Sequence, residues 1–389
     1  MFSLNKSMTL AALLSVSCSL FCQVTASPVY KQDYSGQTLF SVGSVRGAYA
    51  PDSRDIPKVV GIGLDLSLTY GTASLALEDG SYKDVAFVHG NQEYRDLYER
   101  LVTKSTHNSQ ITEDEKLTVS PCSARTMMES KLGEARQVLR HMLGLAPTSD
   151  IAVLSGMLTM LRKKVEAHLG HRITEAIPTW PRLANLSRID LHDAMQHSGL
   201  NIPASLDYSA LQDESTAAFA RYRLGFCTSR EPNTTCTRQP RNVLTLYFSD
   251  IYLHTMHQKL TEAQDDPSTE AGELGDWLMG PGMGLDSRSS YAGGETAYWN
   301  LLSEWMHSYF RFWARKQPLT DIVLLGEAAD NANFTNIVLS ARAQLPPSQM
   351  PFLNDESPLF DSARGAADLH AAMREERRPF EDDSNAAHK

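Results

Sequence analysis

A strand–turn–strand unit with an acid beside its turn occurs twice in this chain. Val59-Val60-Gly61-Ile62-Gly63-Leu64-Asp65-Leu66 is a buried apolar run ending at an acid, and Gly71 to Leu77 returns as a second run. The arrangement recurs from Asn242 to Met256, with its turn at Ser249-Asp250. After each unit the pattern alternates between strand and helix. Alternation of this kind predicts an α/β architecture, and its repetition predicts an internal duplication with a cleft between the halves.

Between the two units, Asp150 to Leu169 reads as a helix. Ile151, Leu154, Leu158, Leu161, Val165, His168 and Leu169 fall at three- and four-residue spacing, and Gly170 is a stop. Thr174 to Pro178 reads as a strand, Ser187 to His197 as a helix, Ala210-Leu211-Gln212 as a short strand, and Glu214 to Leu224 as a helix. After the second unit, Asp265 to Ser290 is Gly- and acid-rich and reads as a surface loop. Helices are expected over Glu295 to Lys316, Asn336 to Ala343 and Ser357 to Met373, with a strand at Asp321 to Leu325. The expected divisions are a signal peptide at 1–26, an extended lead-in at 27–58, a first lobe at 59–226, a linker loop at 227–241, a second lobe at 242–373 and a charged tail at 374–389.

The signal peptide rests on one early charge, Lys6, an apolar run opening at Met8, and small residues at Val24-Thr25-Ala26. No other segment is apolar for long enough to span a membrane, so the secreted chain is expected to have no membrane association. Cys122, Cys227 and Cys236 remain after cleavage. A bridge between Cys227 and Cys236 closing the turn-rich segment between them is expected, with three free thiols as the alternative. Sequons at Asn185, Asn233 and Asn333 fit a glycosylated protein that is secreted or resides in the secretory pathway, the endoplasmic-reticulum lumen included. The net charge of −10, without a basic block, argues against nucleic acid as a partner.

Several stretches resemble one family in order along the chain. Leu158 to Leu169 with Gly170, then Ile177-Pro178-Thr179-Trp180-Pro181, is similar to a family helix, its Leu-Gly stop and a strand ending Val-Pro-Ala-Tyr-Phe. Arg188 to Ala194 followed by Gly199-Leu200-Asn201-Ile202, the run Asp213-Glu214-Ser215-Thr216-Ala217-Ala218, Gly293-Gly294-Glu295, Asp321 to Gly326, and Ala363-Arg364-Gly365-Ala366-Ala367 continue the likeness. From Val59 to Met373 the chain resembles the nucleotide-binding domain of the seventy-kilodalton heat-shock chaperones (the heat shock protein 70 family). That resemblance implies a duplicated ribonuclease-H-like, actin-like ATPase fold, with two lobes around a nucleotide cleft. It also implies ATP with magnesium as cofactor, bound by Asp65, Thr69, Tyr70 and Gly326. Asp65 would stand near the metal, and Glu214 at the domain hinge.

The departures from the family are as informative as the matches. Phosphate turns use glycine so that backbone amides can approach an anion closely. In the first turn Ser67 replaces a glycine and Leu68 a threonine. In the second, Tyr247 stands in place of an acid and Ser249-Asp250-Ile251 in place of a glycine run. The segment at Asn91 to Arg95 has no counterpart of the catalytic lysine, and Glu327 replaces a glycine of the adenosine turn. The stretch from Gly294 to Ile322 is too short for the family's helical adenosine lobe, and no peptide-binding domain is expected after Met373. The expectation is a pseudo-ATPase that acts by binding a protein partner, with no residue assigned to catalysis. The alternative is a weak ATP-binding protein or divergent ATPase using the first turn.

Overall fold

The computed structural model describes residues 58–110, 148–181, 188–203, 213–222, 240–260, 276–279 and 283–386, with Ala146 and Leu186. They form a mixed α/β structure around two mixed sheets. The first comprises β1 (Val59–Leu66), β2 (Tyr70–Leu77), β3 (Tyr82–His89) and β4 (Ile177–Thr179), in the order β3-β2-β1-β4. The second comprises β5 (Arg241–Phe248), β6 (Leu253–Leu260), β7 (Asp276–Met279), β8 (Asp321–Leu325) and β9 (Phe352–Asn354), in the order β7-β6-β5-β8-β9. In each sheet three antiparallel strands form a meander, and a parallel strand then lies against the first of them. The repeated unit read from the sequence is therefore a repeated strand order.

Helix α1 (Gln92–Gln110) and helix α2 (Ser149–Leu169) connect β3 to β4. Helix α2 opens on Thr148, whose hydroxyl accepts from the Ile151 amide, and closes on Gly170 at φ 72°. Ile151, Leu154, Leu158, Leu161 and Val165 are buried at the expected spacing. His168, which the spacing placed on that face, is exposed. Helix α3 (Arg188–His197) and helix α4 (Glu214–Arg221) follow. Asp213 caps α4 by accepting from the Thr216 amide. Helix α5 (Gly294–Lys316) buries Tyr298, Leu302, Met306, Phe310 and Trp313 in the core of the second sheet, where α6 (Ala332–Ala343) joins it.

The last helix, α7 (Asp361–Ala386), follows the second sheet in sequence but packs on β1 and α4. A Cβ at Gly63 would lie 1.9 Å from the Ala363 carbonyl oxygen, and one at Gly61 would lie 1.9 Å from that of Ala367. Only glycine lets this helix sit so close. With α2 and α7 both packed on it, β1 is buried from Gly61 to Leu66, as a strand covered on two faces must be.

The structure corrects several expectations. The segment Asp265 to Ser290 contains β7 and a 3-10 turn, Leu285–Ser289, rather than a loop throughout. Pairing with β6 supplies the backbone partners that composition alone cannot reveal. Strand β3 and helix α1 were not anticipated. Lys83 and Asp84 interrupt the apolar pattern of β3, and α1 carries its core face on two tyrosines, Tyr94 and Tyr98, with Leu97 and Leu101. The mixed-charge run from Arg374 continues α7 as far as Ala386. No helix among the described residues is long and apolar enough to cross a membrane. The signal segment, the lead-in, the strand expected at Ala210 to Gln212, all five cysteines, Asn185 and Asn233 lie outside the described residues. Asn333 is exposed in the first turn of α6.

Candidate functional site

The turns of the two hairpins, the end of β8 and the start of α4 converge on a buried acidic cluster. The β1–β2 turn is Ser67-Leu68-Thr69. Two tyrosines of α1 hold its backbone: the Tyr94 hydroxyl donates to the Ser67 carbonyl at 2.8 Å, and the Tyr98 hydroxyl to that of Leu66 at 3.0 Å. Asp65 lies opposite Thr179 of β4 in the parallel register. Its carboxylate accepts from the Ser67 and Thr179 hydroxyls, each at 2.7 Å. Burial raises the Asp65 carboxyl to about 6, and these two hydrogen bonds moderate the rise.

The β5–β6 turn is self-contained. The Ser249 hydroxyl accepts from the amides of Ile251 at 3.3 Å and Tyr252 at 2.8 Å. The 3-10 turn covers it, because the Leu285 and Asp286 amides donate to the Ser249 and Asp250 carbonyls at 3.0 and 2.9 Å. The cover is tight: a Cβ at Gly284 would lie 2.2 Å from the Ile251 carbonyl carbon. Gly284 thus serves as packing on this turn.

Glu327 joins the two turns. Oε1 accepts from the Thr69 hydroxyl at 2.6 Å and from the Asp250 amide at 3.3 Å. Gly326 before it has φ 102°, and a Cβ there would lie 2.3 Å from the Phe248 carbonyl oxygen. That glycine brings the end of β8 against the end of β5 and aims Glu327 between the turns. Burial lifts the Glu327 carboxyl to about 7. Oε2 of Glu327 has no hydrogen-bond partner.

Glu214, at the first turn of α4, is 2% exposed and its Oε2 has no hydrogen-bond partner. Burial raises its pKa well above the ordinary range, and Asp65, Asp213 and Glu327 add to the rise. Asp213 accepts from the Gln258 side chain at 3.2 Å. Tyr70 and Tyr247 complete the cluster. Burial holds both phenols protonated, and the hydroxyl of Tyr247 has no hydrogen-bond partner. The effects on Asp65, Glu214 and Glu327 come from burial, hydrogen bonds and neighbouring acids; no lysine or arginine among the described residues opposes them. Such carboxyls relieve their repulsion by staying protonated.

The structure thus brings together Asp65, Thr69, Tyr70 and Gly326, the four positions read from the sequence. Among the described residues, no group of three His, Cys, Asp or Glu side chains is arranged to hold a metal ion. His254 and His257 are buried on β6, and the His257 ring packs at 4.2 Å on Trp313. Sequence reading missed the positions Thr179, Tyr94 and Tyr98. The hydroxyl contact of Thr179 depends on strand pairing across more than a hundred residues. The tyrosines had a signal, since Tyr94, Leu97, Tyr98 and Leu101 have helical spacing. No protein-family model and no curated protein matches the chain.

Proposed function

We propose that the chain is a divergent relative of the heat-shock-70 nucleotide-binding domain, with the duplicated actin-like ATPase fold. In this reading it works in the secretory pathway as a pseudo-ATPase that binds another protein. The matching strand orders of the two sheets support the fold. One observation carries the functional reading: the Glu327 carboxylate takes hydrogen-bond donors from both turns, Thr69 Oγ1 and Asp250 N. These are the kinds of donor that a phosphate would need, and the amides of Ile251 and Tyr252 are already turned to Ser249. An ATP phosphate entering here would displace an acid and meet others, with no cation among the described residues to offset them.

For magnesium, Asp65 is the residue carried by the resemblance. Both of its oxygens are engaged by hydroxyl donors, and its burial favours the protonated form. At about 6 the group is still mostly ionised at neutral pH, so it is the donor set that fits a closed contact better than a metal ligand.

The test is thermal unfolding during titration with Mg·ATP. A ligand that binds only the folded state adds stability as RT ln(1 + [L]/Kd), about 2.7 kcal/mol at a hundredfold excess over Kd. No shift is expected at millimolar ATP, whereas Glu327→Gly is expected to create a measurable one. Hydrolysis above background by the unmodified protein, abolished by Asp65→Ala, would overturn the reading.

A further inference from the structure

A second concave site lies about 20 Å from the acidic cluster, at the other end of β1. It is a cavity of about 380 Å³ between the start of β1, the chain leaving α2, and α7. That volume falls within the range of small-molecule sites. Ile62 and Ile173 contribute its buried apolar wall, and Val59 and Leu169 are half-buried beside them. His370 of α7 also lines it, with Nδ1 accepting from the Ile62 amide at 3.0 Å.

Three cations, Lys58, Arg172 and Arg374, stand exposed around this wall. They come from three separate elements, so no helical or strand periodicity groups them; only the tertiary fold does. None of the three makes an ion pair among the described residues. Among the described lining residues Glu175 is the one carboxylate, and no ion pair joins it to any of the three. The chain is acidic overall, with 46 Asp and Glu against 36 Lys and Arg, so three cations at one cavity without an ion pair among the described residues run against its general balance.

We propose that this cavity binds an amphipathic organic anion, its carboxylate held by Lys58, Arg172 and Arg374 and its apolar body laid on Ile62 and Ile173. Positive charge on the rim raises the local concentration of anions, and arginine offers paired donors that match a carboxylate; Arg172, whose guanidinium lies towards Gly199, reaches the ligand by a rotamer change. The apolar wall disfavours a small hydrated anion such as phosphate and favours one carrying hydrocarbon. This inference does not rest on the nucleotide reading, because the two sites share no residue.

The test uses the purified full chain, with decanoate as probe in isothermal titration calorimetry. Decanol and inorganic phosphate are the two comparison ligands. Saturable binding of decanoate is expected, with much weaker binding of decanol and of phosphate. Raising the salt concentration should weaken the decanoate complex. The double variant Arg172→Glu/Arg374→Glu should lower affinity about a hundredfold, roughly tenfold for each charge. Both side chains are exposed, so the variant is expected to fold, and its melting temperature checks this. Arg315→Glu, on α5 and away from the cavity, should bind decanoate as the parent does. Absence of saturable binding at millimolar decanoate would overturn the proposal. Equal affinity for decanol, or unchanged affinity in the double variant, would overturn it too.

Discussion

The two hairpins share a strand order and differ in nearly everything else about their turns. The β1–β2 turn keeps an acid, Asp65, and gives each of its oxygens a hydroxyl donor. The β5–β6 turn has a tyrosine at the matching place and directs two of its own amides onto Ser249. The first turn spends side chains on one carboxyl, whereas the second spends one side chain on the backbone. Glu327 then closes the gap between them. Topology is set by long apolar strands and tolerates this divergence. Anion chemistry depends on a few amides being free, and a single hydroxyl can occupy them.

The strands leading into the turns differ most sharply in side-chain volume. Gly63 of β1 faces α7, while β5 carries valine, leucine and threonine at Val243 to Thr245. Gly63→Thr, which would give the first strand the residue that Thr245 provides at the matching place of the second, should therefore have the largest effect. It would drive side-chain atoms into the Ala363 carbonyl and cost upwards of about 4 kcal/mol. Chemical denaturation of the variant measures this, and a loss below about 1 kcal/mol would show that α7 does not sit where β1 requires glycine.

Next in size is the response to pH. Asp65 is raised from 3.8 to about 6 and Glu327 from 4.5 to about 7. Both carboxyls bind protons more tightly folded than unfolded, so their contribution is fully present below about pH 4. It falls as pH rises, through about 6 for Asp65 and about 7 for Glu327, by roughly 3 kcal/mol for each group. Urea unfolding at pH 5 and pH 8 should show the lower stability at pH 8. Glu327→Gln should flatten the upper part of this profile and leave the part due to Asp65. A profile that rises from pH 5 to 8, or is unchanged by the substitution, contradicts the buried cluster.

The turns themselves provide a direct contrast. Ser249→Ala leaves the Ile251 and Tyr252 amides without their acceptor and should cost about 2 kcal/mol. Ser67→Ala removes one hydroxyl from Asp65 and should cost about 1 kcal/mol, with the Asp65 carboxyl moving further up. Equal costs would mean that the second turn owes nothing special to its serine. The smallest effect belongs to the exposed pair of Arg100 and Asp150, 2.9 Å apart between α1 and α2. Arg100→Ala should change stability by less than about 1 kcal/mol, and less still in high salt.

Much of the scaffold was legible because it rests on local pattern. The apolar runs of β1, β5 and β8, and the Asp150-to-Leu169 span of α2 with its stop at Gly170, can be read without knowing what they touch. β3 and β7 were not legible, since each takes its stability from pairing beside a longer strand. The position of α7 was also hidden. Its alanines and glycine show that something passes close, but not that the partner is a strand some three hundred residues earlier.

The sequence alone determined the doubled strand–turn–strand plan, its alternation with helices, and the presence of Ser249, Asp250 and Glu327 at or beside the turns. Those are properties of residue type and spacing. Only the tertiary structure decided what these residues do. It set Glu327 between Thr69 and Asp250, faced Asp65 with Thr179, and gathered Lys58, Arg172 and Arg374 around one cavity. The reason is physical: hydrogen bonds and charge fields act over a few ångströms in space, and the fold brings within that range groups that the sequence keeps far apart.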